Sequence, residues 1–202
     1  MSGDEVIFNL KNSHLNTGMR GVPVGTCRTS FVTPTEGVHY CGYPIAELGG
    51  MEPEDVIYLL FNKELPTEEQ SKAFKSDLAS RTALPDGTRA VLASLPKEGH
   101  PMDWLSIGIH TLGMLDGKED WKEDSLNLIA RMPRLLGLIF RYREGREENI
   151  PDDNSELSLT ERFINTLQID DVDHDKMRRV LNAYLVLHLD HGGGNLSTFT
   201  GK

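Results

Sequence analysis

Two imidazoles, a carboxylate and three consecutive glycines fall within one short segment, His188-Leu189-Asp190-His191-Gly192-Gly193-Gly194-Asn195-Leu196-Ser197. Imidazole titrates near neutral pH, so it can donate a charge-assisted hydrogen bond to an acid substrate or pass a proton. Glycines let the main chain approach a ligand closely or take a left-handed turn. His188 and His191 are three apart and would share a helix face, a spacing that can chelate a divalent metal with Asp190 as third ligand. No clear further ligand follows and the glycines interrupt the helix at His191, so no metal is assigned. His188, after the apolar Leu185 and Leu187, fits a C-terminal cap, where the helix dipole favours a cation. His191, at the junction with the glycines, is the better candidate to face a ligand. Asn195 and Ser197 each suit the start of a following helix. The glycines could cradle an anion, but neither a GxxxxGK[ST] nor a GxGxxG pattern is present to make a nucleotide loop. The segment begins a few residues before Lys202, so a site built on it is expected to be incomplete within these residues.

The elements that must hold this segment are mostly helices. Residues 1–25 read as a polar, glycine-dotted extended arm. Thr29-Ser30-Phe31-Val32 and Val38-His39-Tyr40-Cys41 flank Pro34-Thr35-Glu36-Gly37 as a small β-hairpin, which must lean on something larger. From Pro53 the chain is a succession of helices. Pro53 fits a first turn, with Val56, Leu59 and Leu60 as the apolar stripe. Thr67 and Gln70 form a capping box for the next helix. Pro85-Asp86-Gly87 starts a short one with Val91 and Leu95 inward. Pro101 opens another with Met102, Leu105, Ile109 and Leu112 on one face. The longest spans about Glu123 to Tyr142, with a kink expected at Pro133. Ser158 and Glu161 cap a helix through Phe163 and Leu167. Asp173 or His174 begins the last, whose Met177, Val180, Leu181, Tyr184 and Leu187 lead into the His188 segment. The class is all-α with a minor N-terminal hairpin, and residues 26–202 form the helical portion.

Bulk properties narrow the function. Hydrophobic residues at 38% and charged residues at 26% describe an ordinary folded chain, not a disordered one. A net charge of -10 argues against a general nucleic-acid binder, which needs a basic face. Arg131, Arg134, Arg141, Arg143 and Arg146 are the one arginine-rich stretch and read as the solvated face of a helix. Cys27 and Cys41 are too few for a disulfide framework, and reduced, partly buried thiols are expected. Met1 to Leu10 has no apolar core of the kind a signal peptide carries, and no apolar run approaches membrane-spanning length, so no membrane partner is expected.

The run His188 to Ser197 resembles the His-x-Asp-His-x-Gly-Gly-Asn-x-Ser signature of citrate synthases, particularly the mitochondrial type. Five further landmarks agree in the same order. Gly18-Met19-Arg20-Gly21-Val22 resembles the family's N-terminal segment. Glu36 to Ile45 resembles its Glu-Gly-x-x-Tyr-Arg-Gly-Tyr-x-Ile hairpin, with Cys41 where arginine is usual. Glu64-Leu65-Pro66-Thr67, His100-Pro101-Met102-Asp103 and Leu128 to Pro133 complete the set. The resemblance covers about Gly18 to Lys202.

It implies a citrate synthase-like large domain of an enzyme with a large and a small domain, the small one absent from these residues. Such enzymes are homodimers that condense oxaloacetate with acetyl-coenzyme A to citrate and coenzyme A in the tricarboxylic acid cycle, converting an acyl into an alkyl group on transfer. No permanently bound cofactor is implied, since acetyl-coenzyme A is a co-substrate. The closely related 2-methylcitrate synthases use propionyl-coenzyme A. By the same resemblance His191 and Asn195 bind substrate, with His191 donating to oxaloacetate. Ser197 orients a neighbouring catalytic histidine, His188 supports the segment, and Arg20 contacts coenzyme A phosphate. None of the family's two catalytic histidines and aspartate falls in these residues. This chain by itself is therefore expected to be inactive, as an N-terminal part of the enzyme or a truncated, non-catalytic binding homologue. The compartment implied is the cytoplasm in a bacterium or the mitochondrial matrix, as the mature form. Two departures stand out: Gly192 replaces a non-glycine residue and loosens the helix end, and Cys41 removes a cation near the hairpin, weakening a domain or subunit contact.

Overall fold

A computed structural model of the 202-residue chain describes residues 6, 8–17, 21–22, 26–146, 150–152, 154 and 156–190. After a single 3₁₀ turn at Asn12–His14, three short strands form an antiparallel sheet: β1 (Ser30–Thr33), β2 (Gly37–Tyr40) and β3 (Tyr43–Pro44), in that spatial order. The expected hairpin is present, with Ser30 opposite Tyr40 and Thr33 opposite Gly37. The third strand is an addition, made by a tight reversal in which Cys41 and Gly42 both take positive φ. Glycine adopts that conformation freely, and Cys41 is held in it by its amide bonding to the Thr29 carbonyl at 2.7 Å.

Eight helices follow among the described residues: α1 (Ile45–Leu48), α2 (Pro53–Asn62), α3 (Glu68–Ser80), α4 (Thr88–Ala93), α5 (Pro101–Asp116), α6 (Trp121–Arg143), α7 (Leu159–Leu167) and α8 (His174–His188). Their starts follow local chemistry. Thr67 and Gln70 close a reciprocal capping box on α3, as Ser158 and Glu161 do on α7. Asp173 accepts from the Lys176 amide at the start of α8. Pro101 occupies the first turn of α5, and the His100 ring accepts from the Met102 amide at 3.2 Å. Helix α6 runs for 23 residues with the buried Pro133 inside it and is not ended there.

Three apolar clusters make the interior. One joins α4, α5 and α6 through Leu92, Trp104, Leu112, Leu135 and Leu138. A second joins α2, α3, α6 and α7 through Ile57, Leu78, Leu126, Ala130 and Leu159. The third joins the sheet to α1, α2 and α8 through Tyr40, Leu48, Val56, Leu59 and Val186. The hairpin thus leans on the far end of the chain.

The expected inward residues Leu95, Leu105, Ile109 and Leu112 do pack on the α4–α6 cluster, with two adjustments. Thr88 and Leu92 are the fully buried residues of α4, and Met102 of α5 points outward while Trp104, Gly108 and Leu112 point in. The arginine stretch is not a solvated face. Arg134 and Arg141 are buried, where Arg134 donates to the Pro151 carbonyl (3.2 Å) and Arg141 to the Leu167 carbonyl (3.4 Å). Arg131 donates to the Ala83 carbonyl and pairs with Asp116 at 2.6 Å, and Arg143 donates to the Gly99 carbonyl. Guanidinium groups here satisfy loop and helix-end carbonyls, among them that of the buried Leu167. Cys27 is exposed, not partly buried, and Cys41 is half-buried.

Candidate functional site

The last helix ends where the chemistry begins. Helix α8 is anchored on its inner face by Val186, which is fully buried, and by Asn182. Asn182 is satisfied on both sides: the Thr160 hydroxyl donates to it at 2.6 Å and its amide donates to Glu52 at 2.8 Å. Arg178, one turn earlier, pairs with the same Glu52 at 3.3 Å. These bonds tie α8 to α7 and to the residue that caps α2.

At the C-terminus of α8 the side chains turn to separate tasks. The His188 ring donates from Nδ1 to the Tyr184 carbonyl at 2.7 Å and stacks on the Tyr184 ring, centroids 4.2 Å apart. A donor on a last-turn carbonyl is what a capping histidine supplies. Leu189 packs into two of the apolar clusters. The Tyr40 hydroxyl, from β2, donates to the Val186 carbonyl at 3.0 Å and accepts from the Asp190 amide at 3.3 Å. Burial holds the Tyr40 phenol above its ordinary range despite main-chain donors at Asp190 and Leu189, so it stays protonated and able to donate. Tyr40 was not among the residues singled out for function. The signal available was a tyrosine two residues from Val38 on the alternating hairpin, whose hydroxyl needs a partner once the ring is buried.

His191, Asn195 and Ser197, like Arg20, lie outside the described residues. Of the segment His188 to Ser197, the structure therefore places His188, Leu189 and Asp190. Among the described residues no three His, Cys, Asp or Glu side chains come together as metal ligands do. Among them, too, no helix is long and apolar enough to cross a membrane.

The outer face of α8 is apolar and open. Val180, Tyr184 and Leu187, at i, i+4 and i+7, are 59%, 58% and 49% exposed.

These features define a helical domain whose last described helix leads into a histidine- and glycine-rich segment and is braced by a small sheet. The family described as citrate synthase, C-terminal domain, matches residues 18–202. Citrate synthase 4, mitochondrial, of Arabidopsis thaliana is 32% identical over 91% of this chain and 43% of its own length. The mitochondrial 2-methylcitrate synthase of Yarrowia lipolytica is 30% identical over 99% of this chain and 48% of its own. The crystal structure of citrate synthase from Thermotoga maritima MSB8 superposes with a TM-score of 0.77 at 26% identity, covering 90% of this chain and 48% of that one. That from Pyrobaculum aerophilum shares the fold, with a TM-score of 0.78 at 24% identity. The chain belongs to the citrate synthase family. It spans about half the length of the curated relatives it matches.

Proposed function

We propose that this chain supplies the oxaloacetate-facing portion of a citrate synthase, which condenses oxaloacetate with acetyl-coenzyme A. The observation that carries the reading is the His188 to Ser197 signature beginning at the last residue of α8, in a fold shared with citrate synthases. In it His191 donates to a carboxylate or carbonyl of oxaloacetate, a charge-assisted bond when the imidazole is protonated. Asn195 shapes the same site and Ser197 orients a neighbouring catalytic histidine. His188 supports the segment from the helix end. Arg20 holds a phosphate of coenzyme A, a contact suited to guanidinium geometry.

The acid–base set that removes the thioester methyl proton and polarises the ketone is not assigned to any residue of this chain. Residues 1–25 act as an arm, and residues 26–202 as the large-domain portion. The open stripe Val180, Tyr184, Leu187 supports a homodimer, with a second copy covering it. The mitochondrial names of the relatives favour the mitochondrial matrix, with the cytoplasm as the alternative. The Yarrowia relative supports one further reading, 2-methylcitrate synthesis from propionyl-coenzyme A. One methylene in an acyl pocket separates the two and is worth only about 1–3 kcal/mol.

Oxaloacetate titrated into the chain, with the histidine ring nitrogens followed by ¹⁵N NMR, is the test. His191 is expected to shift with saturation, and a His191 signal unmoved by oxaloacetate overturns the reading. With acetyl-coenzyme A also present, no thiol release is expected from these 202 residues alone. Measurable turnover would overturn the placement of the acid–base groups elsewhere.

A further inference from the structure

We propose that Tyr40 is a positioning residue whose hydroxyl, bridging the Val186 carbonyl and the Asp190 amide, ends helix α8 and fixes where the chain enters His191. Val186 and Asp190 are four apart. In a continuing helix the Asp190 amide bonds the Val186 carbonyl directly. In this chain the phenol stands at both groups, as donor to one and acceptor from the other. The helix stops at His188, although Leu189 still has helical backbone angles, φ -67° and ψ -34°. The helix therefore ends at a hydroxyl brought in from 146 residues earlier, before the glycines are reached.

The anchor is rigid. Tyr40 is wholly buried between Leu48, Val56, Leu59 and Val186. Its strand is paired on both edges, to β1 and to β3. Leu189, lodged in two apolar clusters, prevents the end of α8 from rotating about its axis. A functional group held by locked side chains on strands and helices keeps its geometry better than one on a free loop. The sheet is thus tied into the substrate segment, which accounts for a small hairpin being kept against the last helix.

The proposal rests on His191 as the oxaloacetate ligand, and its test separates the two. Tyr40→Phe keeps the ring and removes the bridge. By NMR, the ¹³C shifts of Val186 to Asp190 are expected to become helical through Asp190 as its amide turns directly to the Val186 carbonyl. The His191 ring resonances move with them. Oxaloacetate affinity is expected to fall roughly tenfold, the size of one net hydrogen bond. A Tyr40→Phe chain with unchanged shifts from Val186 to His191 and unchanged affinity overturns the proposal. Helix extension together with a wild-type His191 that ignores oxaloacetate leaves Tyr40 as the helix stop and removes the substrate reading instead. A second measurement needs no variant. In the wild-type chain the Asp190 amide is expected to be protected from exchange to the level of the Tyr40 core, and an Asp190 amide exchanging as free main chain refutes the bridge.

Discussion

Helices α6 and α7 pack tightly at Gly137. A methyl group placed there would sit 2.6 Å from Thr166 Cγ2 and 2.7 Å from Thr166 Cβ, about 1 Å inside ordinary carbon contact. Thr166 has little freedom to yield. It is 1% exposed, β-branched within a helix, and its hydroxyl donates to the Arg162 carbonyl at 2.8 Å. In Gly137→Ala two effects oppose. Alanine in a helix interior gains about 1 kcal/mol over glycine. Overpacking a dense interior costs about 1–3 kcal/mol. With two heavy atoms of a clamped side chain in the way, the upper part of that range applies, and the net loss is about 1–2 kcal/mol. Urea unfolding followed by circular dichroism should show a lower midpoint at constant slope. The decisive comparison uses a Thr166→Gly background, which removes both obstructing atoms. There Gly137→Ala should reverse sign and stabilise by its helix propensity alone. A substitution that stabilises the native background, or costs the same in both, would refute the packing argument.

Other outcomes follow from named contacts. Ser158→Ala removes the side chain that caps α7 and should cost about 1 kcal/mol, read as a lower thermal midpoint. Burial raises the Glu54 carboxyl above its ordinary range, although the Leu159 amide donates to it at 2.7 Å. The neutral form is therefore favoured by folding: stability is full below the unfolded value and is lost as pH rises through the folded one. Glu54→Gln should then stabilise the chain more at pH 7 than at pH 4 in parallel urea titrations, and a difference independent of pH would contradict this. Sedimentation velocity should show the chain self-associating through the α8 stripe, with Leu187→Asp shifting it towards monomer. A wild-type monomer at all concentrations would count against that surface.

What the sequence made legible was whatever is settled within a turn or two of chain. Thr67 with Gln70, Ser158 with Glu161, Asp173 and Pro101 each act on amides a few residues away, and the helices begin where those residues place them. The order of six landmarks along the chain likewise identified the family. Contacts made at a distance were not legible. Arg134 and Arg141 have helical spacing on a charged helix, and nothing local tells that the carbonyls of Pro151 and Leu167 wait for them. On α8 the apolar residues Val180, Tyr184 and Leu187 lie on the outer face. The polar Asn182 took the inner face because Thr160 and Glu52 satisfy its amide on both sides. A buried amide with both bonds made costs little, so polarity alone does not set which face turns inward.

Helix α8 consequently has two faces with different partners. Its inner face is set by the protein itself: Asn182 and Val186 fix its rotation, and Tyr40 fixes its end. Its outer face carries the apolar stripe, and His188 at the last turn spends its ring on Tyr184, a member of that stripe. A second copy seated on Tyr184 would press on the residue that His188 caps, two positions before the Asp190 amide. Whatever covers the outer face therefore reaches the substrate segment through one turn of helix. A second copy on the outer face would then make that contact and the end of α8 parts of one mechanical unit.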